Sequence, residues 1–258
     1  MKVVILCGGF GTRLREETDH RPKPMLPIGG QPILWHIMKL YAHQGFNEFV
    51  LCLGYRGEMI KDYFLNYEER TNDLTIRLGT RREITYHGQH DEQDMIVTLA
   101  ETGLASMTGA RVARAAPYLG DERFMVTYGD GLVDLDLRAL LAFHQGHGKL
   151  ATLTTVRPIS RFGSLQLDEH GRVERFEEKP RLEGWINVGF LVFEPGALDY
   201  FSTDPSCVME REPLERLAAD GQLMAYRHEG FFYSMDTYRE YVHFNELWDS
   251  GAAPWKIW

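Results

Sequence analysis

The spacing of apolar residues changes several times along this chain, and each change marks an element. Lys2–Cys7 is a short apolar run closed by glycines, which predicts a buried strand. Residues 33–44 carry apolar side chains at helical spacing and stop at Gly45, which predicts a helix. Phe49–Leu53 reads as a second buried strand and Gly57–Tyr67 as a second helix. Strand, loop, helix, strand, helix is the opening of a parallel doubly wound sheet. From about 72 to 100 the period drops to two, over residues 74–78, 82–87 and 96–100. These segments predict strands outside that rhythm. Gly109–Leu119 then reads as a helix, Phe124–Tyr128 as a strand, Leu137–His147 as a helix and Ala151–Val156 as a strand. Residues 163–177 predict a hairpin around His170-Gly171. Ile186–Phe193 reads as one strand, Pro213–Asp220 as a helix and Thr237–Asp249 as the last long helix. The polar stretch 157–185 reads as an insertion beside the sheet. The expected fold is α/β: a single Rossmann-like, doubly wound mixed sheet with antiparallel insertions, in one domain over 1–258.

Hydrophobic residues make up 44% and charged residues 25% of the 258, which suits a full core and excludes a largely disordered chain. No apolar run approaches the ~20 residues of a membrane span, so no membrane partner is expected. The first residues run straight into the Gly8-Gly9 pair and lack the length and cleavage region of a secretory signal. Cys7 and Cys52 lie in apolar runs and, with Cys207, cannot all pair with one another. They read as small buried hydrophobes of a reducing compartment, so the cytoplasm is expected. The net charge of -9 argues against nucleic acid as a partner. A small anion held by a few local cations stays open.

The run Gly8-Gly9-Phe10-Gly11-Thr12-Arg13 follows the first strand directly. Glycines there let the backbone turn tightly and present N–H groups to an anion, and Arg13 adds a permanent cationic fork. It is neither a Walker A loop nor a GxGxxG turn, and a plain glycine-rich strand exit reads equally well. Arg21-Pro22-Lys23-Pro24-Met25 comes next. Its prolines are expected to hold Lys23 in an extended segment, where it suits a phosphate contact or stands as a solvated loop lysine.

Leu6, Gly8-Gly9, Gly11-Thr12-Arg13-Leu14 and then Pro22-Lys23-Pro24 resemble the signature of the sugar-1-phosphate nucleotidylyltransferases. The resemblance continues through Tyr128-Gly129-Asp130-Gly131, Phe176–Pro180, Ile186–Phe190 and Met235-Asp236-Thr237, and so spans essentially the whole chain. Residues 32–39, 106–109 and 253–256, together with Arg15-Glu16-Glu17-Thr18, are similar to the cytidylyl branch of that family. The resemblance implies the nucleotide-diphospho-sugar transferase type of fold. It places a nucleotide half at about 1–135 and sugar-binding and oligomerisation elaborations at about 136–258. It implies CTP and glucose 1-phosphate as substrates, CDP-glucose and pyrophosphate as products, and Mg²⁺ as cofactor. A homo-oligomer, trimer or hexamer, and a place in the synthesis of surface polysaccharide such as lipopolysaccharide O-antigen belong to the same implication. A uridylyl- or thymidylyltransferase and a non-catalytic sugar-nucleotide sensor are the alternatives.

By the same resemblance Arg13, Lys23, Asp130 and Lys179 are the catalytic set. Leu6, Cys7, Gly8, Gly9, Phe10, Gly11, Thr12, Arg13, Lys23, Ser106, Arg111 and Gly129 bind the nucleotide. Gly163, Glu178, Lys179 and Asn187 bind the sugar phosphate, and Asp130 and Asp236 hold the metal. The residues alone leave other readings open. Asp130 fits a plain Asp-Gly turn, and Asp236 fits the entry of a helix with the capping box Thr237-x-x-Glu240. Ser106 serves equally as a helix N-cap, Arg111 as a surface ion-pair partner and Lys179 as a solvated loop lysine.

Two positions depart from the family pattern. Cys7 stands where alanine is usual, and Val188 where relatives read glycine. Strand alternation puts Asn187 and Val188 on opposite faces, so Val188 is expected in the core. The run His87-x-x-His90-Asp91-Glu92-x-Asp94 fits no ligand spacing and reads as a solvated loop. Trp255 and Trp258 in the short tail are expected to be exposed and to mark a contact between subunits.

Overall fold

The computed structural model runs from residue 1 to 258, and it describes all but residues 80–82 and 161. Of Arg13, Arg15 and Glu16 it describes only the backbone. The main strands are β1 (Lys2–Leu6), β2 (Glu48–Leu53), β3 (Ile96–Glu101), β4 (Phe124–Tyr128), β5 (Ala151–Val156), β6 (Ile186–Asn187), β7 (Leu191–Phe193) and β8 (Leu223–Arg227). The amphipathic runs become α1 (Ile33–His43), α2 (Gly57–Leu65), α3 (Thr108–Ala115), α4 (Leu137–His147), α5 (Glu212–Ala219) and α6 (Tyr238–Asp249).

All eight strands join one sheet. β1 lies between β4 and β2, β3 pairs outside β2, and all of these pairs are parallel. On the other side β7 runs antiparallel to both β4 and β5, and β8 closes the far edge parallel to β5. This is the expected mixed, doubly wound sheet. β3 was expected outside the parallel rhythm, yet its full register with β2 makes it the ordinary edge strand. The antiparallel insertions are separate two-stranded pairs, Asp73–Arg77 with Glu83–His87 and Ser164–Leu167 with Val173–Glu177. Arg82, at the head of one expected strand, lies outside the described residues.

Residues 186–193 do not form the single strand that their apolar pattern predicts. Gly189 (φ 82°) and Phe190 (φ 51°) break it into β6 and β7. Residue 189 has no room for a side chain in this conformation, because a Cβ there would approach the Tyr128 ring to 2.7 Å. Val188 is buried and Asn187 exposed, as alternation requires.

Two apolar layers sandwich the sheet because successive strand residues face opposite ways. Val3 and Ile5 pack with α1 residues Leu34 and Ile37 and with Phe244 of α6. Val4 and Leu6 pack with Val112 and Ala115 of α3 and Leu214 of α5. The aromatic tail belongs to the first layer. Trp255 is fully buried and Trp258 sits edge-on to Trp35, which corrects the expectation of exposed tryptophans. Their apolar rings find enough surface within their own chain. His90 and Glu92 also depart from a solvated loop: they are side-chain partners of Glu68 and Lys39 at 2.9 and 3.0 Å.

Buried His36 joins the tail to the chain's start. Its Nε2 lies 2.9 Å from the Ile28 carbonyl, and the Trp255 indole donates to its Nδ1 at 3.4 Å. That pairing requires neutral imidazole, and burial pushes its pKa down to about 4. The unfolded histidine takes a proton near pH 6.5, so full stability holds above that value and declines as pH falls toward 4. His144, lowered to about 4 with burial as the first cause, adds to the same slope. His36→Gln should flatten part of this acid slope, worth at most about 3 kcal/mol, in urea melts from pH 7 to pH 4. Trp255→Ala should lower stability at pH 7 by about 3–5 kcal/mol in the same melts.

Candidate active site

The sheet changes winding direction between β1 and β4, and their last residues, Leu6 and Tyr128, are register partners. Open α/β sheets bind ligands just beyond such a point. Here a cleft of about 380 Å³ opens, lined by Leu6, Cys7, Gly8, Gly9, Gly11 and Thr12. Lys23, Pro24, Gly129, Asp130 and Asp236 line it too, and Ser106–Thr108 with Arg111 and Tyr128 complete the wall. Twelve of the sequence-predicted nucleotide and metal residues therefore meet in one place. Phe10 does not line it: half exposed, it packs on Tyr55 with ring centroids 5.4 Å apart. The Arg13 backbone lies in the turn Thr12–Leu14, and its side chain is outside the described residues.

Arg111 is not a surface ion-pair partner. It is 4% exposed, and its guanidinium donates to the carbonyls of Leu53 (2.8 Å) and Gly8 (2.9 Å) and to Thr102 Oγ1 (2.8 Å). A longer bond reaches Leu104 O at 3.4 Å. Burial lowers its pKa, yet arginine stays charged in proteins. A cation wrapped by neutral carbonyls leaves the cleft floor positive. The guanidinium also explains Gly8, because a Cβ there would come within 2.1 Å of it. Ser106 is no N-cap either; Met107 takes that place, and Ser106 Oγ accepts from Arg114 at 2.8 Å.

Lys23 begins a 3₁₀ turn, Lys23–Met25, rather than an extended segment. Pro22 and Leu26, which flank the turn, are extended, and Pro24 has the fixed φ that a helical first turn accepts. The turn sends the ammonium between two carboxylates, at 2.6 Å from Asp130 Oδ2 and 3.0 Å from Asp236 Oδ1. Burial works against this charge, but Asp130 and then Asp236 outweigh it and the lysine pKa ends above its ordinary value.

A strand pair that the sequence pattern did not reveal brings Asp130 and Asp236 together. Gly131–Val133 runs antiparallel to Phe232–Ser234, and the Met235 amide donates to the Asp130 carbonyl at 2.9 Å. Ser234 Oγ then donates to Asp236 Oδ2 at 3.0 Å. The Glu240 carboxylate of the expected capping box accepts from the amides of Asp236 (2.6 Å) and Thr237 (2.7 Å). Two carboxylates on the wall of this cleft, with Lys23 between them, are hard oxygen donors of the kind that suits Mg²⁺.

The predicted sugar set is not gathered in this cleft. Asn187 reaches it indirectly, through a side-chain hydrogen bond to Tyr128. Gly163 adjoins Glu178 on the 164–177 hairpin, where a Cβ would meet Glu178 Oε2 at 3.2 Å. Lys179 (φ 50°) opens on a larger cleft of about 940 Å³, with Arg157, Ser160, His228, Thr237 and Arg239 on its walls. Thr237 links the two clefts in sequence, one residue beyond Asp236. Sequence reasoning missed Thr108 and Tyr128 as cleft walls; the place of Tyr128, last in a buried strand, was the available signal.

A family model described as nucleotidyl transferase matches residues 2–236, and the chain belongs to that family. Its sequence is 48% identical over 260 residues to a glucose-1-phosphate cytidylyltransferase of Salmonella typhi, covering 100% of both chains. It is 46% identical over 258 residues, again 100% of both, to a probable glucose-1-phosphate cytidylyltransferase of Bacillus subtilis (strain 168). Among solved structures, HddC from Yersinia pseudotuberculosis has the same fold, with a TM-score of 0.68 at 23% identity over 96% of this chain and 99% of that one.

Lys23→Met should leave the two carboxylates facing each other without a counter-charge. The variant should lose about 1–3 kcal/mol, discounted for partial exposure, relative to the wild type in thermal melts.

Proposed function

We propose that the protein transfers a cytidylyl group from CTP to α-D-glucose 1-phosphate, giving CDP-glucose and pyrophosphate. The observation that carries this reading is the full-length similarity, near half identical, to glucose-1-phosphate cytidylyltransferases. The cleft at the β1–β4 switch point supports it with the charges the chemistry needs. A phosphate oxygen of the sugar phosphate attacks the α-phosphorus of CTP; the new P–O bond forms as the bond to the pyrophosphate oxygen breaks. No protein nucleophile is required, so the protein's work is positioning and charge stabilisation.

In this reading the glycine loop and Arg13 hold the β- and γ-phosphates and favour departure of pyrophosphate. Lys23 contacts the α-phosphate and the charge that develops on it. Asp130 and Asp236 hold Mg²⁺, which when bound neutralises phosphate charge. Ser106, Arg111 and Gly129 border the nucleoside, while Gly163, Glu178, Lys179 and Asn187 receive the sugar phosphate. The nucleotide residues fall within about 1–135 and the sugar residues beyond it. Arg157 and Arg239 beside Lys179 support an anion at that end. Among the described residues no helix is long and apolar enough to cross a membrane. Exposed Phe162, Leu165 and Phe176 on the hairpin support a homo-oligomer, trimer or hexamer, in place of the tail tryptophans.

Pyrophosphate release with Mg²⁺ and glucose 1-phosphate tests the reading. CTP should give the highest kcat/KM among CTP, UTP, dTTP, ATP and GTP, by about 10²-fold or more. Turnover of UTP or dTTP instead would replace it with a uridylyl- or thymidylyltransferase. Binding of a sugar nucleotide without turnover of any triphosphate would point to a sensor. Asp130→Asn should lower kcat/KM with CTP by about 10²–10³ while the fold, followed by circular dichroism, stays intact.

A further inference from the structure

The wall formed by Thr108 and Tyr128 has a partner that the nucleotide, sugar and metal sets leave unused. Glu210 Oε2 accepts from Thr108 Oγ1 at 2.6 Å, and Glu210 Oε1 accepts from the Tyr128 phenol. Thr108 Oγ1 also accepts from the Met209 amide at 2.9 Å. The segment carrying Glu210 is fixed against α3 by backbone bonds, from Met107 N to Pro205 O (2.8 Å) and from Ala110 N to Cys207 O (3.1 Å). A hydroxyl has one proton to give. Both protons are committed to the Glu210 carboxylate, so the Thr108 and Tyr128 oxygens have only lone pairs to offer a ligand.

In the proposed function the glycine loop and Lys23 take the phosphates, and Asp130 and Asp236 are reserved for the metal. That leaves the base for the uncharged wall of Leu6, Met107, Thr108 and Tyr128. We propose that Glu210 is a specificity-determining positioning residue: by taking both hydroxyl protons it makes this wall accept hydrogen bonds only, which selects a base with an amino group. Cytosine donates from its 4-amino group where uracil and thymine present a 4-oxo acceptor. An acceptor facing an acceptor leaves both unpaired, and a site built to hydrogen-bond a substrate donor discriminates against a base that lacks it. The inference rests on the cytidylyl reading.

The test is the ratio of kcat/KM for CTP to that for UTP, with Mg²⁺ and glucose 1-phosphate, in the wild type, Glu210→Gln and Thr108→Val. Glutamine replaces one acceptor oxygen with a donor and frees a hydroxyl proton toward the cleft. The ratio should fall by about tenfold or more in Glu210→Gln. Thr108→Val removes one wall acceptor and should lower the ratio in the same direction; it decides the matter if Glu210→Gln does not fold. A role in packing alone would lower CTP and UTP turnover together and leave the ratio unchanged, and that result overturns the proposal. A wild type with no preference for CTP would instead remove the cytidylyl reading itself, and the proposal with it.

Discussion

Three segments far apart in the chain meet at one ammonium group. Lys23 stands between Asp130 and Asp236, and without it two carboxylates would face each other at partly buried positions. Each neighbour of this contact has a matching constraint. Pro24 and the Leu6 carbonyl lie 3.0 and 2.9 Å from where a Cβ of Gly129 would stand, so residue 129 has no room for a side chain. The Asp130 carbonyl is bound by the Met235 amide, and Glu240 fixes the amides of Asp236 and Thr237. The ion pairs therefore sit in a frame of backbone bonds, which holds the charges together more firmly than exposed pairs would be held.

Charge in the cleft is arranged in two layers. Below the glycine loop, the Arg111 guanidinium is wrapped by neutral oxygens and keeps its positive field. Across the opening, Lys23 is already balanced by two acids. The floor thus carries positive charge with no acid against it among the described residues, while the two carboxylates across the opening share a lysine. This division fits nucleotidyl transfer, where two anions must be brought together and the leaving group's charge must be stabilised.

Much of the sheet was legible because its strands are buried on both faces and read as unbroken apolar runs. β1, β4, β5 and α4 fall where the pattern puts them. The pattern failed where packing set the backbone. The apolar run 186–193 looks continuous, but the left-handed Gly189 and Phe190 break it, and the Tyr128 ring leaves residue 189 no room for a side chain. The tail tryptophans were expected outside because tryptophans in a short terminal tail often mark a contact surface; His36 of α1 and Phe244 of α6 pack on Trp255 instead. Glu210 carried no signal at all, since a single acid in a polar segment has no periodicity to betray its partner.

The sequence by itself determined the fold class, the glycine loop and the identities of the charged residues, because these depend on neighbours within a few positions. It could also place Asp130 at a strand's carboxyl end and Asp236 at a capped helix. Only the tertiary structure decided that these two acids share Lys23, that Arg111 is buried beneath Gly8, and that Lys179 faces a different cleft from Lys23. Local pattern encodes which face of an element is apolar. Which polar side chains meet depends on how distant elements pair, and here a short strand pair, 131–133 with 232–234, made that choice.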